Sequence, residues 1–211
     1  MCYVCDEERR SSRRGFLSVA ASGALAGLAL TSLPAFAAGG ATTTLTADEA
    51  LAKLKAGNDK YVSGPELCAV QLNAQREHVA KSQAPWATIV SCADSRVPPE
   101  LLFGGLGVGE LFVARNAGNM VDTATMGTIE YGSGVLGVPL IIVLGHERCG
   151  AVAAACAVVE KKTKFPASIA PMVNAIVPAA QAVKGKPGDF VDNAVRESAM
   201  RTAKQIASKS P

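Results

Sequence analysis

Three side chains of different chemistry alternate in the stretch Ser91-Cys92-Ala93-Asp94-Ser95-Arg96-Val97: a thiol at Cys92, a carboxylate at Asp94 and a guanidinium at Arg96. A second group, His146-Glu147-Arg148-Cys149, places an imidazole and a thiol three positions apart. Taken singly, Cys92 and Cys149 read as small buried hydrophobes, because free cysteine is among the most buried residue types. Taken together with His146 they offer two thiolates and one imidazole, the donor set of catalytic zinc sites that keep a fourth position for water or substrate. Asp94 is the nearby candidate to close that fourth position as a protein ligand.

Such a set converges only if the intervening elements bring it together. Three short apolar runs, at 87–91, 111–114 and 140–144, are each bounded by turn residues. They are apolar at nearly every position rather than alternating, which suits strands covered on both faces, as in a parallel sheet. Helical candidates lie between and after them, at 99–103 with Pro at its start, at 123–136 and from Gly150 to about 162. The alternation predicts an α/β fold with a mostly parallel central sheet flanked by helices. In such sheets functional groups collect beyond the carboxyl ends of strands. Cys92 ends one run, and the His146 loop follows another.

Upstream, Thr46-Ala47-Asp48-Glu49 is a capping box that opens an amphipathic helix, which Ser63-Gly64-Pro65 breaks. At the other end, Val191, Val195, Ala199, Thr202 and Ile206 mark a further amphipathic helix before the chain stops at Pro211. His78, in a polar stretch, reads as surface. Cys68 and Cys156 read as structural, Trp86 as core, and the side chains of Glu147 and Arg148 as solvated spacers. Residues 116–119 are expected to form a tight loop near the site.

The first 38 residues differ in character. Ser11-Ser12-Arg13-Arg14-Gly15-Phe16-Leu17 is a twin-arginine pattern, followed by a small-residue apolar stretch and by Ala35-Phe36-Ala37, an Ala-x-Ala cleavage signal. The apolar stretch is shorter than the ~20 residues a membrane span needs. The reading is a cleaved signal at 1–37, a flexible leader at 38–45 and one zinc-binding α/β domain at 46–211. It implies export by the twin-arginine route to the periplasm or another extracytoplasmic compartment, with no membrane span left after cleavage. That route carries folded proteins, so the metal is expected to be loaded before Cys92 and Cys149 meet an oxidising compartment.

Composition narrows the function classes. With 211 residues, 49% hydrophobic and 18% charged, the chain has enough apolar material for one ordinary core. The net charge of +3 is small and its basic residues are scattered, which excludes a nucleic-acid surface. The glycines at 104–109 precede a strand instead of following one and lack the third glycine of a dinucleotide loop.

Cys92-Ala93-Asp94-Ser95-Arg96 and His146-Glu147-Arg148-Cys149-Gly150 resemble the C-x-D-S-R and H-x-x-C-G signatures of the β-class carbonic anhydrases. The segment 109–119 is similar to that family's connecting segment, and 51–64, with Gly57-Asn58, to its amino-terminal helix. The resemblance runs from about 46 to 210. It implies zinc held by Cys92, His146 and Cys149, an Asp94–Arg96 pair governing the fourth position, and reversible hydration of carbon dioxide to bicarbonate and a proton by zinc-bound hydroxide. It also implies a homodimer or higher homo-oligomer, with the amino-terminal helix packed on a partner subunit. Relatives on the same scaffold that hydrolyse carbon disulfide or carbonyl sulfide use the same ligands. An inert zinc-binding module, with Asp94 resting on the metal and the missing carboxyl-terminal strand leaving the protein unable to turn over, is the reading from outside enzymology. Chains of the family usually continue from such a Ser-x-Pro into more helix and a further strand, so this chain is expected to leave one strand edge unpaired.

Physical chemistry gives the Asp94–Arg96 pair its sense. Zinc with two thiolates and a neutral imidazole is a net-neutral site and polarises water less than three histidines would. Asp94 can accept the hydrogen of the bound hydroxide or displace it by binding zinc. A bidentate fork from Arg96 favours the first by holding the carboxylate.

Overall fold

The computed structural model describes residues 42–64 and 72–209, which belong to one compact unit. The stretch read above as an export signal, together with Cys2, Cys5 and Cys68, lies outside the described residues. Helix α1 (Ala47–Ser63) starts at the expected capping box: the Thr46 hydroxyl accepts from the Glu49 N–H at 3.3 Å, and the Glu49 carboxylate accepts from the Thr46 N–H at 2.8 Å. A short helix α2 (Leu72–Val79) follows, then strand β1 (Ala87–Cys92), the one-turn helix α3 (Pro99–Leu102), strand β2 (Leu111–Asn116), helix α4 (Thr123–Gly134) and strand β3 (Ile141–Leu144). The chain then turns helical through α5 (Gly150–Lys161), α6 (Ile169–Val183) and α7 (Phe190–Lys209).

The three apolar runs form one parallel sheet in the order β2-β1-β3. All six positions of β1 are buried, as expected of a middle strand covered on both faces. Ala87 and Ile89 face α1, whose Ala50 and Leu54 join Trp86 in that cluster. Val90, on the other face, packs with Ile129 of α4 and Ile206 of α7. Helix α1 thus sets Ala50 and Leu54 against its own sheet. Cys92 leads into the largest cluster, built with Cys149, Val152, Val173 and Ile176. The outer edges of β2 and β3 carry no further strand among the described residues, and no described helix is long and apolar enough to cross a membrane.

Two contacts tie α1 to the end of α3. Asn58 Nδ2 donates to the Leu102 carbonyl at 2.9 Å, and a Cβ on Gly57 would fall on the Phe103 carbonyl, with its carbon at 2.6 Å. Backbone cannot move aside as a side-chain tip can, so Gly57→Ala is expected to prise α1 off and cost about 1–3 kcal/mol. The thermal midpoint of the variant measures this.

Glu110 organises the other end of the same contact. Its carboxylate accepts from Lys53 Nζ at 2.9 Å, from the Gly107 N–H at 2.8 Å and from Trp86 Nε1 at 3.4 Å, while the Lys53 ammonium lies 4.4 Å from the Trp86 ring centroid. The glycine loop at 104–109 is thus a turn pinned by a carboxylate. Burial pushes the Glu110 carboxyl up, but these donors and the Lys53 charge outweigh it, so the group sits below its ordinary value. A lowered carboxyl stabilises the fold above its unfolded pKa and loses that contribution as acid protonates it. Glu110→Ala is expected to cost roughly 1–3 kcal/mol at neutral pH by stranding three donors. The gap from the parent should narrow below about pH 4, as denaturant titrations at both pH values would reveal.

Candidate metal site

Cys92 is the last residue of β1, placed by the register that pairs it with Asn116. His146 follows β3 by two residues, and Cys149 is the N-cap of α5. Parallel neighbours end on the same side, so the strand end, the loop and the helix start converge at the carboxyl edge of the sheet. One donor atom from each of Cys92, His146 and Cys149 lies within 4.8 Å of the others.

The two sulfurs are 3.9 Å apart. Two sulfurs each ~2.3 Å from a tetrahedral zinc would be about 3.8 Å apart. His146 Nδ1 is 3.0 Å from the Glu147 carbonyl, which can only accept, so the proton belongs on Nδ1 and Nε2 keeps its lone pair. That Nε2 is buried and without a partner. Burial pushes the Cys149 thiol up and the neighbouring Cys92 sulfur adds to this, while the backbone N–H groups of Val152 and Ala151 pull it down. Two adjacent buried thiols ionise together only with a cation between them. An orphaned imidazole nitrogen, a sulfur pair at ligand spacing and a donor set of zinc's preferred type make this site fit zinc.

Gly118 closes the site from below, its N–H 3.3 Å from Cys92 Sγ. Its φ is +83°, and a Cβ there would meet Ile176 Cδ1 at 2.5 Å, so only glycine brings the amide this close. Residues 116–119 thus form the expected tight loop: Asn116 Oδ1 accepts from the Met120 N–H at 3.0 Å.

Asp94 does not join the donor triangle. Arg96 takes both its oxygens, Nε to Oδ1 at 2.9 Å and Nη2 to Oδ2 at 2.7 Å, and the Arg96 N–H adds a bond to Oδ1 at 3.0 Å. These bonds hold the carboxyl far below the usual carboxylate range. Its Oδ2 is 3.9 Å from His146 Nε2, so the carboxylate stands beside the triangle with its charge engaged elsewhere. The carboxylate expected as a fourth ligand is here held by Arg96 and stands outside the three-donor group, a bidentate guanidinium competing for the same lone pairs.

Glu147 and Arg148 have exposed side chains, as expected of spacers, yet their backbones serve the site. The Glu147 carbonyl orients His146, and the Arg148 carbonyl accepts from Arg96 Nη2 at 3.2 Å, with Arg148 at φ +55°. Side-chain pattern carries no signal for carbonyls, so sequence reading passes over them. Arg115 was overlooked for a different reason. It lies in β2, remote in sequence from every ligand, yet its guanidinium donates to the carbonyls of Cys92 at 2.8 Å and Asp94 at 2.6 Å. His78 is exposed, Trp86 is buried in the cluster against α1, and Cys156 is buried in the same cluster as Cys92 and Cys149.

Fold and donors together define a parallel α/β protein with a Cys2His metal centre at the carboxyl edge of its sheet. Residues 87–210 match the family model described as carbonic anhydrase, and the chain belongs to that family, in its β class. Carbonic anhydrase 2 of Mycobacterium tuberculosis is 43% identical over 125 residues, which is 59% of this chain and 60% of that protein; the chain thus spans about three-fifths of that relative's length. The structure of a Coccomyxa β-carbonic anhydrase in complex with acetazolamide superposes with a TM-score of 0.56 at 27% identity, covering 80% of this chain and 79% of that one. A tetrameric β-carbonic anhydrase of Sordaria macrospora shares the fold, with a TM-score of 0.56 at 23% identity over 77% of this chain and 80% of that one.

Proposed function

We propose that this chain catalyses the reversible hydration of carbon dioxide to bicarbonate and a proton, with zinc held by Cys92, His146 and Cys149. The observation that carries the reading is the three-donor convergence beside a carboxylate fully engaged by an arginine fork. Zinc, when bound, supplies a nucleophile at neutral pH by acidifying its water. Asp94 offers a hydrogen-bond acceptor at the open side of the triangle, and Arg96 keeps that carboxylate ionised and off the metal. The Arg96 bonds hold the Asp94 carboxyl far below the usual carboxylate range, which favours its ionised form. The two-armed grip of Arg96 speaks against the part of the inert-binder reading that puts Asp94 on the metal. No feature of the site favours carbon disulfide or carbonyl sulfide over carbon dioxide.

Stopped-flow hydration on the mature chain, with zinc quantified on the same sample, tests the reading. The expected result is about one zinc per chain and a rate that rises from mildly acid to alkaline pH. A flat profile, or zinc without turnover, would overturn it.

The twin-arginine pattern at 11–17 and the Ala35-Phe36-Ala37 cleavage signal support export to an extracytoplasmic compartment. The tetrameric Sordaria relative supports a homo-oligomer. Mass analysis of the exported chain, expected to begin at residue 38, and sedimentation of that same chain test the two in turn.

A further inference from the structure

Resting on the hydration reading, we propose that Arg115 is the positioning residue for the Asp94 carboxylate. Beyond Cys92 the chain leaves the sheet: the Ala93 N–H makes a last rung to the Asn116 carbonyl at 2.9 Å, and the Asp94 carbonyl then accepts a turn bond from the Val97 N–H at 3.2 Å. Arg115 straddles this departure. Its Nε holds the carbonyl of Cys92 and its Nη2 the carbonyl of Asp94, so one rigid fork spans the carbonyls on either side of Ala93, those of the Cys92–Ala93 and Asp94–Ser95 peptides. Among the described residues Arg115 forms no ion pair, so its donors serve these neutral carbonyls rather than a counter-charge.

The arrangement fixes Asp94 from both ends. Arg96 grips the carboxylate and Arg115 grips the backbone that carries it, and between them they set the 3.9 Å gap from Oδ2 to His146 Nε2. Either arginine alone leaves a hinge, at the side chain or at Ala93. A gap this short tolerates little drift, since misplacements of about 1 Å cost on the order of a hundredfold in rate. Only a guanidinium can do this, because a lysine ammonium offers a single point and cannot bridge both carbonyls in fixed geometry.

The test compares Arg115→Lys and Arg115→Gln with the parent, each loaded with zinc for kinetics and with cobalt(II) for visible spectra across pH. Both variants are expected to bind metal at the parent stoichiometry and to lose on the order of 10–100-fold in kcat with little change in KM. The cobalt bands and their pH midpoint should move with them. Adding Asp94→Asn to Arg115→Gln should cost far less than it costs the parent, since both act through one carboxylate. Parent-like rate and spectrum in Arg115→Lys, or losses that simply multiply, would overturn the proposal. So would a lowered melting temperature accompanied by an unmoved cobalt midpoint, which marks a merely structural role. If Arg115→Gln fails to fold, the lysine variant decides alone. If the parent itself binds metal and is inactive, the hydration reading fails, and the cobalt spectra still decide the placement of Asp94.

Discussion

Asp94→Asn is expected to retain about one zinc per chain and to lose on the order of 10²–10⁴-fold in kcat for hydration. Asparagine preserves the shape and one acceptor oxygen, and none of the three ligands is touched, so metal content should not follow activity. The charge disappears, and with it the reason for Arg96 to hold both oxygens at 2.7–2.9 Å. The pair is a poor candidate for a stabilising device, because Arg96 leaves 57% of its side chain exposed and exposed ion pairs contribute little. A melting temperature close to the parent's together with the loss of turnover would separate the chemical role from a structural one. Equal kcat in the two proteins would remove Asp94 from the reaction.

Cys149→Ser should produce the opposite dissociation of properties. Cys149 is the N-cap of α5 and makes no side-chain capping bond, whereas serine is among the preferred N-cap residues. The metal-free variant should therefore melt at or slightly above the parent's temperature. Zinc binding should weaken by on the order of 10²–10³-fold, taking one ligand of four as roughly a quarter of about 10–16 kcal/mol. Competition with a chromophoric chelator measures the affinity, and calorimetry of both metal-free chains measures the fold. A variant that binds zinc as tightly as the parent would mean that Cys149 is not a ligand.

Much of this architecture is legible in the residues because local and global signals agree. The runs at 87–91, 111–114 and 140–144 became the three strands with ends displaced by at most two residues, since a doubly covered parallel strand has to be apolar throughout. The capping box placed the start of α1 by its own hydrogen bonds. Helix α6 escaped notice because Pro178 lies inside it, and proline ordinarily reads as a helix end. Tertiary burial of Val173, Ile176, Ala180 and Val183 outweighs the bond it removes. Helix α2 was hidden by its polarity.

At the site, the three converging donors were recognisable by type and spacing, but the hold of Arg96 on Asp94 was not. Whether a carboxylate binds the metal or its neighbouring arginine depends on side-chain geometry that the spacing of Asp94 and Arg96 leaves open. Arg115 left no trace in the sequence because it acts on carbonyl oxygens, which every residue carries.

The burial of β1 on all six positions bears on how the metal would leave. Its amides are paired to neighbours on both sides, so their exchange with solvent deuterium requires opening of the whole sheet. His146 hangs on a loop beyond an edge strand, and Cys149 sits at a helix start whose first amides lack intrahelical partners. The three ligands therefore belong to regions of unequal protection. Dissociation would begin with local opening of the 145–149 loop, leaving Cys92 in place on the most protected strand, ready for recapture without refolding.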